Sequence, residues 1–520
     1  MPPGNAGRRR RFTVAWSRAF PRRAAARRRL DRSRAPRHAG RVEPIEAMPA
    51  SRGPYPRRGG NRVIPWIDGV PFYERLAAAF RGARARVWAV VSFIEPGFRF
   101  PDGTAWWDLL DACQARGVDV RVLFWRNPRF FRTAHVFLGG AEDRAFLARR
   151  GAAWAARWDS SGADAPHCHH QKAFVVDAGE PDAIAFVGGM VLSTATLARP
   201  GHHHGEEKHD AFLELRGPVV VDAEHNFVQR WNQARRDREA PPWPDEARAG
   251  PLDLPTRVPP PCGAVEVQLC RTIKPGIYPG TTRSPGGPPF DGSDGEQTIL
   301  EHYREAFAAA RRTIYIENQH PGELSLLAAL ERALVRGVRV VMVVPGEPMA
   351  AIRRASVEVA ALAAEGRAAD HRYGPTFQQL AALARHPGFT LAALARSDRD
   401  AGGAWVHREI YTHAKLCVVD GAWATLGSAN LVDLSLTRDH SELNASFWGR
   451  DACMPLLRRL IGEHTDREAP DDDLAALVDI AELARASRAS RARGGPVLGG
   501  CYALDPARYG QDLPAPRDAP

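Results

Sequence analysis

From Arg62 onward, apolar and polar positions fall in blocks that switch between a helical and a strand period. Phe72 to Phe80 follows helical spacing, and Arg86 to Ile94, RVWAVVSFI, has the length and β-branched content of a buried strand. Trp106, Leu109, Leu110 and Cys113 recur at helical intervals, Arg116-Gly117 closes that helix, and Val118 to Trp125 reads as the next strand. The same succession returns later. Ile299 to Ala310 reads as a helix, Thr313 to Gln319 as a strand, and Leu327, Leu330 and Leu334 as a helical stripe. Arg336 to Val344 then repeats the turn and strand of residues 116–125. Strands joined by helices in two successive copies predict an α/β protein of two similar halves, each with a parallel or mixed sheet covered on both faces.

Residues 240–262, APPWPDEARAGPLDLPTRVPPPC, are too rich in proline for either element and read as a linker between halves at 63–239 and 263–465. The stretch Arg271 to Gly295, rich in Gly, Pro, Ser and Thr, reads equally as a gate beside a pocket or a surface excursion. Beyond the second half, residues 466–520 are expected to form a helical and disordered tail. Asp471-Asp472-Asp473 caps an amphipathic helix through Leu474, Leu477, Val478 and Ala481 that should pack on the body, and Arg- and Pro-rich sequence follows.

Charge changes this picture at the amino end. The chain of 520 residues carries a net +11, but residues 1–62 hold eighteen Arg, no Lys, and only Asp31, Glu43 and Glu46 as acids. That leader is about +15, which leaves about −4 for the rest. The body is therefore not a basic nucleic-acid binder by charge. The leader lacks apolar periodicity and is expected to be disordered. Arg8 to Arg11 with Phe12 is similar to a twin-arginine export signal, but Arg18, Arg22 and Arg23 interrupt the apolar run such a signal needs, so export is not supported; Met48 is an alternative start. No window approaches 18 uninterrupted apolar residues, so a transmembrane helix is not expected and membrane contact would be peripheral. Seven cysteines form no close pairs, which points to structural thiols in a reducing compartment and to a cytoplasmic or peripheral membrane location.

The candidate chemistry is duplicated too. His170, Lys172 and Asp177 share their spacing with His413, Lys415 and Asp420, and each set runs through a hydrophobic segment into a small pair, Gly188-Gly189 or Gly427-Ser428. Strand alternation puts His and Lys on one face, so that an imidazole and an ammonium enter one pocket. A phosphodiester needs that combination: the cation neutralises non-bridging oxygens while the imidazole attacks phosphorus or protonates a leaving oxygen. Two copies supply both jobs on opposite sides of an in-line displacement.

The pattern resembles the phospholipase D superfamily, whose defining feature is a duplicated HxKxxxxD motif. The second copy matches through Asn430; the first carries an AGEP insertion after Asp177 and has Val191 in place of that Asn, which leaves its phosphate contact in doubt. His169-His170-Gln171-Lys172, Phe186-Val187-Gly188-Gly189 and Ile314 to Gln319 resemble the lipid-hydrolysing branch. The resemblance implies two pseudo-symmetric α-β-α sandwich halves with mixed, largely parallel sheets packed face to face. It implies a phosphohistidine mechanism that needs no metal or cofactor, because the lysines supply the positive charge. Asp210 and Glu442, each downstream of a motif, are the candidates for orienting the imidazoles; Lys172, Lys415 and Asn430 would hold phosphoryl oxygens. Gly188, Gly189, Gly427, Ser428 and Glu317 are further candidates for the substrate pocket; Lys274, in the loop 271–295, could reach a headgroup but is not counted among the candidates. Asp177 and Asp420 fall at the far end of their strands, where support of a turn is the expected role. His170 as nucleophile and His413 as acid, or the reverse, satisfy the sequence equally. Adjacent His167, His169 and His170 are poorly arranged for one zinc ion, and His202-His203-His204 reads as a loop run able to take adventitious metal. The expected protein is a monomeric phospholipid phosphodiesterase; a cardiolipin synthase-like transferase, a nuclease of the superfamily and a non-catalytic lipid-binding scaffold are the alternatives.

Overall fold

The computed structural model describes Ile45 and residues 51–511, apart from 128–136, 138, 153, 163–166, 206–207, 237–242, 244–249 and 438. The Arg8 to Arg11 cluster, Met48 and most of the first half of the linker lie outside the described residues. Residues 250–262 run mostly exposed and without regular elements, as expected of a proline-rich segment that cannot complete backbone ladders.

Two sheets are built in the same order. In the first, neighbouring strands are Arg58–Ile67, Ala211–Arg216, Ile184–Gly188, Ala173–Val176, Arg86–Val91, Asp119–Trp125 and Ala155–Asp159. In the second they are Val265–Ile273, His440–Trp448, Trp423–Gly427, Lys415–Val419, Thr313–Asn318, Arg339–Val343 and Phe389–Arg399. Position by position, the motif strands Ala173–Val176 and Lys415–Val419 occupy the centre. The start of Arg58–Ile67 also pairs with Val265–Ile273 and so joins the sheets.

The sheets are mixed, as expected, but the expectation of largely parallel strands needs correction. Only the last two pairings in each half are parallel; the others are antiparallel. Helical crossovers such as Trp106–Ala115 and Leu324–Val335 produce the parallel pairs, whereas each motif strand returns directly through a short turn, which forces an antiparallel neighbour.

Period-2 alternation divides each motif strand between two cores. Val175 and Leu416 face a central cluster shared by the halves, containing Leu213, Val187, Leu443 and Leu426. Phe174 and Cys417 face outward, under the helices Gly69–Gly82 and Thr298–Ala309 respectively. Helix Val220–Gln233 and helices Arg450–Thr465 and Asp473–Ala492 supply further side chains to the shared cluster. The sheets thus meet over one core, with helices on their outer faces.

At both ends of the described region, segments reach further into the body than their composition suggests. Tyr55, within the leader, is buried, and its hydroxyl meets His225 Nδ1 at 3.2 Å. Asp472 caps the helix Asp473–Ala492 by accepting from the Ala475 amide at 2.9 Å. The tail then adds an edge strand, Cys501–Ala503, antiparallel to Phe389–Arg399, and Tyr509 is buried behind it. An Arg- and Pro-rich composition hid this strand, because its three residues are too few to show a period. Among the described residues, no helix is long and apolar enough to cross a membrane. The seven cysteines are unpaired and all but Cys262 are buried.

Candidate active site

His170 and Lys172 lead into the strand Ala173–Val176, whereas His413 precedes and Lys415 opens the strand Lys415–Val419, and the two sets meet where short parallel ladders cross between the halves. Cys168–His169 pairs with the start of His440–Trp448, and Lys208–His209 pairs with the end of Trp405–Thr412. The His170 amide donates to Ser441 O at 2.9 Å, and the His413 amide to His209 O at 2.7 Å. These crossings exchange the carboxylates. His170 Nδ1 lies 3.0 Å from both carboxylate oxygens of Glu442, and His413 Nδ1 lies 2.5 Å from Asp210 Oδ2. Each imidazole is therefore held by the other half. Because an ionised carboxylate only accepts, Nδ1 carries the proton and Nε2 keeps its lone pair.

The lysines are just as enclosed. Lys172 Nζ donates to His170 O at 2.7 Å, and Lys415 Nζ donates to His413 O and, at 3.5 Å, to Gln319 Oε1. Neither ammonium forms an ion pair with a carboxylate of the described residues. Burial pushes Lys172 down to about 8 and Lys415 down to about 7, with Glu442 and Asp210 respectively opposing the shift. Two buried amines without direct counter-ions are costly to charge unless an anion joins them.

The same burial lowers His170 to about 4 despite Glu442, and it holds His413 well below the usual imidazole range, with Lys415 adding to the effect. Burial by itself would raise Glu442, but the His170 imidazole and its hydrogen bond bring that carboxyl below its ordinary range. Asp210 goes the other way: burial lifts it to about 6, with Lys415 and the Ala211 amide opposing.

The small pairs make room for this packing. A Cβ on Gly189 would sit 2.6 Å from Asp210 Oδ1 and 3.0 Å from Lys415 Cδ, and one on Gly427 would sit 2.3 Å from Asn444 Oδ1. Gly188 is pressed equally closely against Phe212. Ser428 donates its hydroxyl to Glu442 Oε2 at 2.6 Å, so it orients the carboxylate instead of facing the anion site. Asn430 Oδ1 is buried without a hydrogen-bond partner among the described residues.

The remaining sequence candidates sit elsewhere. Asp177 Oδ1 accepts from the amides of Arg84, Ala85 and Arg86, and Asp420 accepts from those of Arg311, Arg312 and Thr313. Both adopt positive φ, 53° and 51°, at the ends of their strands. Glu317 is fully buried between His209 Nε2 at 2.8 Å and His464 Nε2 at 2.9 Å, and it also accepts from the Tyr315 hydroxyl. Lys274 stands 4.0 Å from Asp439, and the loop that carries it buries Tyr278 against His169 and Arg230.

Sequence reading missed His440, whose Nδ1 is 3.7 Å from Glu442 and whose ring centroid is 5.6 Å from that of His170. The two-residue spacing of His440 and Glu442 was the available signal, since it places both on one strand face. Phe93 was also missed; its ring lies edge-on to His170 and 5.9 Å from Lys172 Nζ. Nothing in its local sequence separates it from other core aromatics.

Two histidine–carboxylate pairs and two buried lysines on a duplicated α/β scaffold define a composite site that neither half completes alone. Residues 303–459 match the family model described as "Cardiolipin synthase, PLD-like domain". The chain is 28% identical over 359 residues to phospholipase D alpha 1 of Ricinus communis, covering 52% of this chain and 44% of that protein. It is 26% identical over 310 residues to cardiolipin synthase A of Pseudomonas putida, covering 58% and 54%. A solved structure of phosphatidylserine synthase from Haemophilus influenzae Rd KW20 aligns with 77% of this chain and 85% of its own at 14% identity and a TM-score of 0.48. These similarities support a place for the chain in the phospholipase D superfamily. It spans about half the length of the curated relatives it matches.

Proposed function

We propose that this protein cleaves or transfers the distal phosphodiester of phospholipids through a phosphohistidine. The observation that carries the reading is the reciprocal exchange of carboxylates, which leaves two Nε2 lone pairs beside two buried ammonium groups. In the first step His170 Nε2 attacks phosphorus, the bond from phosphorus to the departing alcohol oxygen breaks, and His413 delivers a proton to that oxygen. In the second, water or an acceptor alcohol gives its proton to His413 and attacks the phosphohistidine, which returns His170 to its starting form. Lys172, Lys415 and Asn430 line the phosphoryl group; Asn430 contributes through its NH2, and the ammonium groups stabilise the charge of the pentacovalent transition state. A phosphodiester anion between the lysines also favours imidazolium, which restores to His413 the proton that burial alone disfavours. Glu442 and Asp210 act as positioning residues.

The alcohol acceptor separates hydrolysis from transfer. The family-model match and the Pseudomonas relatives favour a transferase as the second reading. The test is incubation of purified protein with phosphatidylcholine or phosphatidylglycerol vesicles, EDTA and a few per cent ethanol. Phosphatidylethanol is the expected product alongside phosphatidic acid, and cardiolipin from phosphatidylglycerol alone marks the transferase. Degradation of single-stranded DNA with no lipid product would overturn the lipid reading.

A further inference from the structure

Behind the Asp210–His413 pair lies a second buried cluster that the phosphodiester chemistry does not use. Asp68 precedes the helix Gly69–Gly82, His202 sits in the loop before the strand Lys208–His209, His209 belongs to that strand, and Glu463 lies on the helix Arg450–Thr465. One ligand atom from each lies within 4.8 Å of all the others. His209 Nδ1 is 3.0 Å from Asp68 Oδ1 and 3.6 Å from Glu463 Oε1; His202 Nε2 is 3.1 Å from Asp68 Oδ2 and 3.6 Å from the same Glu463 oxygen. Ligand–ligand separations around a tetrahedral zinc, with bonds of about 2.0–2.2 Å, are roughly 3.3–3.6 Å.

We propose that Asp68, His202, His209 and Glu463 bind one structural zinc ion. Three independent features point to it. Asp68 Oδ2, His202 Nε2, His209 Nδ1 and Glu463 Oε1 are all buried and, although both imidazoles stand in ion-pair contact with Asp68, none completes a well-aligned hydrogen bond among the described residues, so all four atoms face a common centre. His209 donates its other ring nitrogen, Nε2, to Glu317 at 2.8 Å, and Glu317 is fixed in turn by His464 and Tyr315. A ligand imidazole is usually held in this way by a carboxylate on its far side. Asp68 and His202 both adopt positive φ, 63° and 52°, a strained backbone that persists where surrounding structure or a ligand holds it. Two neutral imidazoles and two carboxylates balance a divalent cation, and the mixed nitrogen and oxygen set suits zinc.

The ion would tie the end of the first half's leading strand, His202 and His209 to a helix of the second half. It would also support the active site from behind, because the Asp68 amide donates to Asp210 O at 2.8 Å. Zinc is not a reactant here, and the inference stands apart from the proposed lipid chemistry because none of its readouts is activity. The sequence hid the site: of the run His202-His203-His204, only the first is directed into this cluster, while the His203 side chain is 58% exposed.

The test uses the full chain, loaded with zinc, dialysed against metal-free buffer and measured by inductively coupled plasma mass spectrometry, with thermal melting followed by circular dichroism. One zinc per chain is expected, with a lower melting temperature after chelation and recovery on adding zinc back. His202→Asn, which tolerates the left-handed backbone, and Glu463→Gln should each lose the metal, whereas His203→Ala should keep it. Cobalt substitution gives a direct readout in the wild-type chain should a variant fail to fold: visible d–d bands of a tetrahedral site are expected. A folded wild type without bound zinc and with an unchanged melting temperature would overturn the proposal, leaving His209 as a cation between Asp68 and Glu317. Stoichiometric zinc retained by both His202→Asn and Glu463→Gln would overturn it equally.

Discussion

Glu442 and Asp210 occupy equivalent places in the two halves, and each binds the imidazole of the other half, yet their surroundings differ. Glu442 accepts from His170 and from the Ser428 hydroxyl, with His440 nearby. Asp210 accepts from His413 and from the Ala211 amide, and Gly189 stands where the other half has Ser428. The cause is spatial. Gly189 has no room for a side chain beside Asp210 and Lys415, so the first copy cannot supply a hydroxyl. Duplication thus preserved the two histidines and lysines while the shell around each carboxylate diverged, and this favours unequal roles for the two imidazoles. Both imidazoles pass through a cationic form in the proposed mechanism, so the difference between the carboxylates gives the two roles a testable asymmetry; the proposal takes His170 as nucleophile and His413 as proton carrier.

The largest expected effect comes from removing either imidazole. His170→Ala and His413→Ala should each lower the rate by about 10²–10⁴-fold or more. They should differ in one respect: a substrate with a good leaving group, which needs no acid, should leave a trapped phosphoenzyme on His413→Ala and none on His170→Ala. Phosphoenzyme on His170→Ala alone would reverse the assignment.

Next come the lysines. Lys172→Ala or Lys415→Ala removes a cation from the developing charge and should cost about 10²–10³-fold in kcat. Their depressed values set an alkaline limb as well. The ammonium form is needed, and it is lost as pH rises through about 7 for Lys415 and about 8 for Lys172 in the free protein. kcat/KM, which reports the free enzyme, should therefore fall above neutrality, while kcat holds to higher pH because bound phosphate favours the ammonium. A kcat/KM that is flat well past both values would contradict this.

Ser428→Gly gives the second half the residue of the first and tests whether the asymmetry matters. Loss of one orienting hydrogen bond should cost on the order of tenfold in kcat, or about 1.4 kcal/mol; an unchanged kcat would make the divergence incidental. The smallest catalytic effect is expected from Asp420→Ala. It leaves three amides without their acceptor and should cost about 1–3 kcal/mol of stability, read by denaturant melts, with kcat of the folded fraction little changed.

Much of this arrangement was legible along the chain. The helices and strands around residues 72–125 and 299–344 lie close to where periodicity put them, because each buries one face and burial writes a period into the sequence. His170, Lys172, His413 and Lys415 could be found because alternation on a strand is a local rule. Strand direction was less legible. The apolar run Ala173–Val176 says nothing about whether its neighbour runs parallel, and the hairpins after Asp177 and Asp420 settled that. Glu317 shows the opposite failure: a carboxylate on a strand near the second motif looked like a pocket residue, yet its side chain turns toward His209 and His464.

By itself the sequence determined the repeat, the order of elements and the candidates for the reacting groups, since all three follow from spacing within a few residues. Only the tertiary structure decided which carboxylate serves which imidazole, because His170 and Glu442 lie 272 residues apart and His413 and Asp210 lie 203 apart. The same holds for the convergence of Asp68, His202, His209 and Glu463. Such pairings arise from strands crossing between the two sheets, a long-range geometry that no local period encodes.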